Sequence, residues 1–372
     1  MLPKNIIVLI GNGFDIANGF KTKFSDFAED YVESKIIPEL EDVINNKNNK
    51  STFFRRSFVE NMAGKFSAFS YNKPEDALWL HTKNKTPDEL KNYICNNYKI
   101  LGDYLQNSLL GKLYSSTDKN WFDIENTYFK ELVEIKNKAS RSTAKDFNYV
   151  PLRILNKEFS EIKKEVLNYL RKVKITNDDE ILQFLIRHFN NVGNVYFINF
   201  NYTNTLKSYV DKICTNDAIT FNFNGNYKIN HIHGDLESGK IVFGYGNDQN
   251  DDYQEIKKLE EDEFLRYFKT FDYLNNSNYD KVNEEAIDKF PNYEVYILGH
   301  SLGLTDKTLL SEILNSEKCR KIKFFKRTDL KEHPSLIQSN YRELTYAASR
   351  ILTSERELRK KIINFEDSVS FP

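Results

Sequence analysis

The stretch IIVLIGNGFDIANGF, from Ile6 to Phe20, decides the fold of this 372-residue chain. Its first five residues, Ile6 to Ile10, are all aliphatic, which is typical of a strand buried on both faces of a parallel sheet. Gly11 and Gly13 follow at once, and glycine permits a tight turn and the close approach of a ligand to the main chain. The amides that open the next helix favour an anionic group at this turn. The stretch therefore predicts an α/β fold that binds a nucleotide.

The composition limits the class of protein. Hydrophobic residues make up 40% of the chain and aromatic residues 14%, which favours a folded protein over a disordered one. The formal net charge of −1 provides no overall basic field, so nucleic acid is not indicated as a partner. The three cysteines are scattered, which excludes a Cys₄ zinc site and fits a reducing compartment. Without a signal-peptide pattern or a long apolar segment, we expect a soluble, cytoplasmic protein that has no membrane partner.

The pattern of apolar residues changes twice along the chain. Between residues 25 and 189 it follows helical periodicity, with only weak strand signals. Short β-branched and aromatic runs follow, as is typical of strands. They are Val195–Phe200, Ile219–Phe223, Ile229–His233, Ile241–Phe243, Val295–Leu298 and Ile322–Phe325. A helical stretch, Asp251–Tyr273, interrupts them, and Pro334–Phe365 is also predicted to be helical. We therefore predict a discontinuous Rossmann-like domain, residues 1–24 and 190–372, interrupted by a helical insertion, residues 25–189.

The first glycine turn differs from the dinucleotide fingerprint of dehydrogenases. G-x-G-x-x-G requires a third small residue at position 16, where this chain has Ile16. The third glycine comes later, as Gly19. A glycine turn after a strand is a weak signal by itself, and a simple strand-to-helix corner stays open as the alternative.

The segment FNYTNTL follows the predicted strand Val195–Phe200. Asn201, Tyr202 and Thr203 stand where this strand gives way to a helix. An asparagine amide donates and accepts hydrogen bonds, so Asn201 is suited to orient a ribose hydroxyl or a water molecule. The alternative is a helix cap, in which Thr203 or Asn204 satisfies free amides.

The segment HIHGD contains two histidines and an aspartate. If residues 229–233 form a strand, His231 and His233 share one face of it. Together with Asp235 they are candidate metal ligands, and either histidine is also a candidate general base. A buried, hydrogen-bonded histidine pair is the structural alternative.

The segment LGHSLGLTD contains Gly299-His300-Ser301-Leu302-Gly303, which matches the G-x-S-x-G nucleophile elbow of α/β-hydrolases. A hydrolase of that type needs an acid and then a histidine further along the chain. His333 is the single histidine downstream of Ser301, and the chain leaves little room for the elements that usually separate a triad. We therefore disfavour the esterase interpretation.

These segments, taken in order, resemble the AbiH family of bacterial abortive-infection proteins, a distant relative of sirtuin-like NAD-binding folds. The segments that carry the resemblance are Ile7–Asp15, Asn199–Thr203, His231–Gly234 and Gly299–Gly303 with Asp306. Trp121–Glu125 is similar to a further family segment. The resemblance implies a Rossmann-like parallel sheet flanked by helices, with a large helical insertion.

The resemblance also implies roles for individual residues toward NAD. Asn201 would position the nicotinamide ribose or a water molecule, and His233 would act as a base on a ribose hydroxyl or water. The glycine loop would wrap the pyrophosphate, and the segment after residue 298 would contact the adenosine side. The implied NAD contacts are Gly11, Asn12, Gly13, Phe14, Asp15, Gly19, Tyr202, Thr203, Gly299, Ser301 and Asp306.

Two departures from sirtuins bear on activity. The chain lacks the four zinc cysteines of protein-deacetylating sirtuins, so peptide deacylation is not expected. Asp15 replaces the usual serine of the loop, and its carboxylate would repel a phosphate unless it turns toward a ribose hydroxyl or a helix amide.

The resemblance implies anti-phage defence by hydrolysis of NAD at the nicotinamide–ribose bond, with NAD as substrate and no metal. Such an activity needs control, so we expect assembly into a homo-oligomer or binding of a partner protein through the helical regions. Two alternatives stay open. One is a metal-dependent hydrolase or phosphodiesterase that uses the HIHGD segment, and the other is a non-catalytic nucleotide-sensing module.

Overall fold

The computed structural model describes residues 4–46, 51–55, 86–96, 102, 104–115, 121–139, 148–190, 192–215, 227–327 and 333–372. The chain divides into two compact units. The sheet unit comprises Met1–Thr22 and Leu170–Pro372, and the helical unit comprises Lys23–Tyr169. The sequence had assigned residues 170–189 to the helical insertion, whereas here they belong to the sheet unit.

The regular elements of the described residues are numbered in chain order, separately for strands and for α-helices. The strands are β1 (Ile6–Ile10), β2 (Val195–Asn199), β3 (Tyr227–His231), β4 (Tyr293–Leu298), β5 (Cys319–Phe324), β6 (Lys326–Arg327) and β7 (Ser370–Phe371). The α-helices are α1 (Asn12–Ala17), α2 (Phe24–Tyr31), α3 (Ile37–Asn46), α4 (Pro87–Asn96), α5 (Ser108–Ser115), α6 (Trp121–Ala139), α7 (Val150–Leu170), α8 (Asp179–Phe189), α9 (Thr205–Thr215), α10 (Asp251–Lys257), α11 (Lys269–Tyr273), α12 (Asn278–Val282), α13 (Lys307–Asn315), α14 (Pro334–Ser349) and α15 (Glu355–Lys361).

The main sheet confirms the predicted α/β fold with a parallel sheet. Its strand order is β3-β2-β1-β4-β5, and every neighbouring pair is parallel. The last residue of β1, Ile10, is paired with Asn199 on one side and Leu298 on the other. The chain moves outward from β1 to β3 and then returns to β4 on the opposite side. Such a reversal is the switch point at which Rossmann-like sheets bind ligands, outside the carboxyl ends of the strands.

The hydrophobic core lies on both faces of this sheet, which explains the unbroken aliphatic run of β1. Ile7 and Leu9 pack into one cluster, and Ile6, Val8 and Ile10 pack into the other. Successive side chains of a strand point to opposite faces, so a strand covered on both sides needs apolar residues throughout. Helix α8 contributes several side chains to the second cluster, which is why it belongs to the sheet unit.

The predicted secondary structure differs from the observed one in the region after β3. Ile241–Phe243 was predicted as a strand, but it is irregular, and Val242 donates a backbone hydrogen bond to the His233 carbonyl. A run of three residues folds back over the turn after β3 instead of joining the sheet. Asp251–Tyr273 contains two short α-helices, α10 and α11, with a 3₁₀ helix, Asp262–Phe264, between them. The predicted strand Ile219–Phe223 lies outside the described residues.

Within the described ranges, the named elements of the helical unit are all helices. The buried carboxylate of Glu158 accepts hydrogen bonds from the Ser108 and Leu109 amides and from the Ser108 hydroxyl, and so caps α5. The Tyr128 hydroxyl donates to Asn156 Oδ1 at 2.7 Å inside the unit. Among the described helices, none is both long enough and apolar enough to cross a membrane.

The glycine turn after β1 packs directly against the turn after β4. The Gly13 amide donates to the Gly299 carbonyl at 2.9 Å, and the Gly11 amide donates to the Leu298 carbonyl at 3.1 Å. A Cβ atom on Gly11 would lie 2.5 Å from the His300 Cα, and one on Gly13 would lie 2.7 Å from the Gly299 Cα. Both glycines are therefore required by contact between two stretches of protein backbone. The open space that the sequence suggested for a ligand is here filled by the turn after β4.

We expect Gly11→Ala to lower the free energy of unfolding by about 3 kcal/mol, because the added methyl group overfills a packed contact. Gly239→Ala is the matched control. Gly239 has a φ of +68°, and a Cβ atom added there would have no atom within 4 Å, so its substitution adds only backbone strain. That strain costs about 1 kcal/mol. Urea unfolding followed by circular dichroism measures both values, and equal losses would contradict the packing argument.

Candidate functional site

Asn201 links the turn after β2 to the turn after β1. Its side-chain amide donates to the Gly11 carbonyl at 3.0 Å, and its backbone amide donates to Asn199 Oδ1 at 3.0 Å. Both asparagines are buried. No described residue donates a hydrogen bond to Asn201 Oδ1, so this oxygen is an acceptor that the fold does not use. The contact brings Asn201 to the carboxyl end of β1.

Asp15 is held inside the same region by a threonine. The Thr203 hydroxyl donates to Asp15 Oδ2 at 2.6 Å, and the Thr205 hydroxyl donates to Thr203 Oγ1 at 3.1 Å. Burial raises the pKa of Asp15 from 3.8 to about 6, and this outweighs the lowering by its neighbours Thr203, Thr205 and Asn201. The Thr203 hydroxyl therefore holds the Asp15 carboxyl group.

His233 belongs to a buried charge cluster that joins three separate elements. Its Nε2 atom lies 3.0 Å from Asp306 Oδ1, and Lys269 Nζ lies 2.7 Å from the same oxygen. His233 is in the turn after β3, Asp306 ends a 3₁₀ turn after β4, and Lys269 begins α11. At most 9% of any of the three residues is exposed. Burial acts to raise the pKa of Asp306, but the Lys269 charge and the neighbouring His233 outweigh it and lower that pKa.

Aromatic rings surround the imidazole of His233. Phe200 meets it edge-on at 5.2 Å between ring centroids, and Tyr202 lies at 6.3 Å. Tyr273 is stacked on it at 6.4 Å. The Tyr202 hydroxyl donates to the Val242 carbonyl at 3.1 Å, which fixes that ring. Phe200 and Tyr202 precede and follow Asn201, so the two predicted catalytic residues share these neighbours.

The segment that matches the nucleophile-elbow motif has a different geometry here. Ser301 is exposed, and no hydrogen bond joins it to a histidine among the described residues. The left-handed backbone positions are Gly299 and Leu302, with φ of 73° and 56°, and not the serine. His300 is buried against Phe200 and accepts a hydrogen bond from the Leu302 amide. Burial lowers the pKa of His300 to about 4, so it is a neutral core residue.

Three other residues that were expected to contact NAD lie in different environments. Phe14 lies in the core, edge-on to Tyr209 and stacked on Phe371. The Asn12 side-chain amide donates to the Thr22 carbonyl at 2.9 Å. Gly19 has a φ of +75°, and a Cβ atom added there would have no atom within 4 Å, so the loop is open at this point.

The metal-ligand interpretation of HIHGD is not supported by the geometry. Strand β3 ends at His231, so the alternation that would put both histidines on one face stops before His233. His231 Nδ1 lies 3.4 Å from the Asn201 carbonyl, and Asp235 accepts from the amides of its own turn. In the part of the chain that the structure describes, no group of three or more His, Cys, Asp or Glu side chains is arranged to hold a metal ion.

Lys269 is the site residue that sequence reasoning missed. It lies in the stretch Asp251–Tyr273, which the sequence indicated only as an acidic, helical interruption. No motif marks it, and 37 positions separate it from Asp306. Its burial, at 1% exposure, becomes visible only when α11 is seen beside the turn after β4.

The fold and site define an α/β protein with a five-stranded parallel sheet and a buried His–Asp–Lys cluster at the strand ends. The family model described as Bacteriophage abortive infection AbiH matches residues 7–326. The chain therefore belongs to the AbiH family of bacteriophage abortive infection proteins. The match includes β1 from Ile7 onward, β2 to β5 and every residue of the cluster. A search of curated proteins finds no match to this chain.

We expect Asp15→Asn to change how stability depends on pH. The folded pKa of Asp15, about 6, lies above the ordinary 3.8, so the folded wild type binds more protons than the unfolded chain between these values. The free energy of unfolding of the wild type therefore falls as pH rises from 4 to 6, and the asparagine variant lacks this loss. The variant should gain about 2.4 kcal/mol relative to the wild type between pH 4 and pH 7.

Urea unfolding at a series of pH values measures this difference. The exposed Asp251→Asn is the matched control, and its stability relative to the wild type should show no comparable change over the same range. A difference between Asp15→Asn and wild type that stays constant with pH would refute the prediction.

Proposed function

We propose that this protein acts in anti-phage defence by hydrolysing NAD at the nicotinamide–ribose bond, with His233 as the base and Asn201 as the positioning residue. The observation that carries the proposal is the buried hydrogen bond between His233 and Asp306 at the carboxyl ends of the strands. A histidine held by a carboxylate in a buried site is a common general base.

The sheet topology supports a nucleotide as the substrate. The switch point between β1 and β4 is bordered by the turns that contain Gly13 and Gly299. The contact between these turns fills the space in which a Cβ atom on Gly11 or Gly13 would lie. The corresponding space at Gly19 is open. We therefore assign the approach of the NAD pyrophosphate to the outer part of the loop near Gly19. Asp15 is turned toward Thr203, which reduces the repulsion that its carboxylate would exert on a phosphate.

The chemistry of the cleavage fits the groups at hand. NAD and water give nicotinamide, ADP-ribose and one proton. The nicotinamide ring is positively charged before cleavage and neutral afterwards, so it needs little acid assistance. The bond to the ribose breaks toward an oxocarbenium-like state, and the attacking water forms the new C–O bond. His233 accepts the proton of that water, and the unused Asn201 Oδ1 accepts a hydrogen bond from a ribose hydroxyl or from the water.

An enzyme that degrades NAD without control would harm its own cell, so the activity must be restrained until infection. We propose that assembly of this chain with itself or with a partner protein supplies the control, through the helical regions predicted from the sequence. A protein that is a monomer and fully active without a trigger would contradict this part of the proposal.

We expect the purified protein to convert NAD to nicotinamide and ADP-ribose, detected by mass spectrometry. His233→Gln and Asn201→Ala should each reduce the rate at least about 100-fold, the range of a lost general base or positioning group. His333→Ala is the matched control, because this histidine is exposed and lies outside the cluster. It should keep the wild-type rate.

The same assay separates the alternatives. If NAD binds tightly but stays intact, nucleotide sensing would replace hydrolysis as the proposed function. Loss of activity on adding a chelator would favour a metal-dependent hydrolase, and wild-type rates in both site variants would refute the roles of Asn201 and His233.

A further inference from the structure

Two donors converge on a single oxygen of Asp306, and this arrangement has a consequence for His233. We propose that Lys269 is a positioning residue: it holds Asp306 as a carboxylate, which fixes His233 with its proton on Nε2 and leaves Nδ1 as the proton acceptor of the site. The catalytic meaning of this inference rests on the proposed function. The tautomer itself is a property of the protein without substrate.

The first step is the charge state of Asp306. Lys269 Nζ lies 2.7 Å from Asp306 Oδ1, and 1% of the lysine is exposed. A buried ammonium group is costly unless an opposite charge lies against it, and the same holds for a buried carboxylate. Each group is therefore stable in its charged form because the other is present. An ionised carboxylate has no proton, so Asp306 can only accept hydrogen bonds.

The second step is the tautomer of His233. Its Nε2 atom lies 3.0 Å from the same Asp306 oxygen. Because that oxygen cannot donate, the proton in this hydrogen bond belongs to Nε2. A neutral imidazole with its proton on Nε2 has a free lone pair on Nδ1. Within the described ranges, no residue forms a hydrogen bond with His233 Nδ1, so this atom is the one that is left to receive a proton.

The third step is the balance of charge around the imidazole. Asp306 alone would stabilise a protonated His233, which cannot act as a base. Lys269 places a positive charge against the same carboxylate oxygen and so offsets that negative charge. The titratable groups that face His233 from the elements around it are Asp306 in the 3₁₀ turn, Lys269 and Tyr273 on α11, His300 after β4 and Tyr202 after β2.

Lys269 is held in place both at its backbone and along the aliphatic stem of its side chain. The Lys269 amide donates to the Tyr245 carbonyl at 3.0 Å, and the Tyr245 amide donates to the Tyr267 carbonyl at 2.9 Å. A Cβ atom on Gly246 would lie 3.2 Å from Lys269 Cβ and 3.1 Å from its Cδ, so the glycine leaves room for the stem. The lysine is thus a built part of the site and not a surface side chain that has folded inward.

The test is a nitrogen NMR spectrum of the ¹⁵N-histidine-labelled wild type without substrate, with His233→Gln to assign the signal. At a pH where His233 is neutral, Nε2 should carry the proton and Nδ1 should not. A wild-type spectrum with the proton on Nδ1 overturns the proposal. This measurement decides the tautomer even if a lysine variant fails to fold.

The role of Lys269 is tested by titrating His233 in variants. Lys269→Met should raise the His233 midpoint by about one pH unit or more, because a protonated His233 then becomes the positive charge that keeps Asp306 ionised. Lys269→Arg keeps the charge and should restore a midpoint close to the wild type. Lys361→Met is the matched control: this lysine is also buried, but it donates to the Leu314 and Ser316 carbonyls. An unchanged midpoint in Lys269→Met would show that Lys269 does not set the state of His233.

The outcome is independent of whether NAD is the substrate. If the free protein shows the Nε2–H tautomer and the Lys269→Met shift but leaves NAD intact, the inference stands and the proposed function fails. If NAD is hydrolysed, the acidic limb of the pH profile of kcat/KM should shift to higher pH in Lys269→Met, together with the NMR midpoint. A lower rate with an unmoved limb would indicate a merely structural lysine.

Discussion

The contact between the turn after β1 and the turn after β4 is the constraint on which the rest of the site depends. Gly13 and Gly299 are joined through their backbones, and no side chain fits between the two turns at Gly11 or Gly13. This contact fixes where the chain after β4 can go, and so it positions His300 and Asp306. On the other side of β1, Asn201 donates to the Gly11 carbonyl and attaches the turn after β2 to the same point.

Buried charge is the second constraint on this region. Taking an ionised group out of water costs several kcal/mol, and a fold retains such groups where they are paired or where they have a task. Lys269, Asp306 and His233 are paired with one another, while Asp15 Oδ1 is buried with no hydrogen-bond partner among the described residues. Hydrophobic residues of similar size would pack the same space at lower cost. The concentration of polar groups at the strand ends is therefore the physical argument for the proposed site.

The sequence predicted the sheet more accurately than it predicted the roles of single residues. The aliphatic run of β1 is explained by burial on both faces, and the parallel sheet follows from the strands that were recognised after residue 190. The resemblance implied a ligand contact for Phe14, yet its ring stacks on Phe371 from the far end of the chain. Asp306 was assigned to the adenosine side, whereas it contacts His233. Local pattern cannot show which side of a turn a residue faces.

The sequence by itself determined the strand-turn-helix at the start of the chain, the α/β class and the family resemblance, because these depend on residues close together in the chain. Apolar runs and glycine spacing report whether a segment is buried and where it turns. Only the tertiary structure decided that His233, Asp306 and Lys269 form one cluster and that Gly11 and Gly13 serve a backbone contact. These facts depend on distances between segments that are roughly 30 to 290 residues apart, and such distances are set by packing rather than by local propensity.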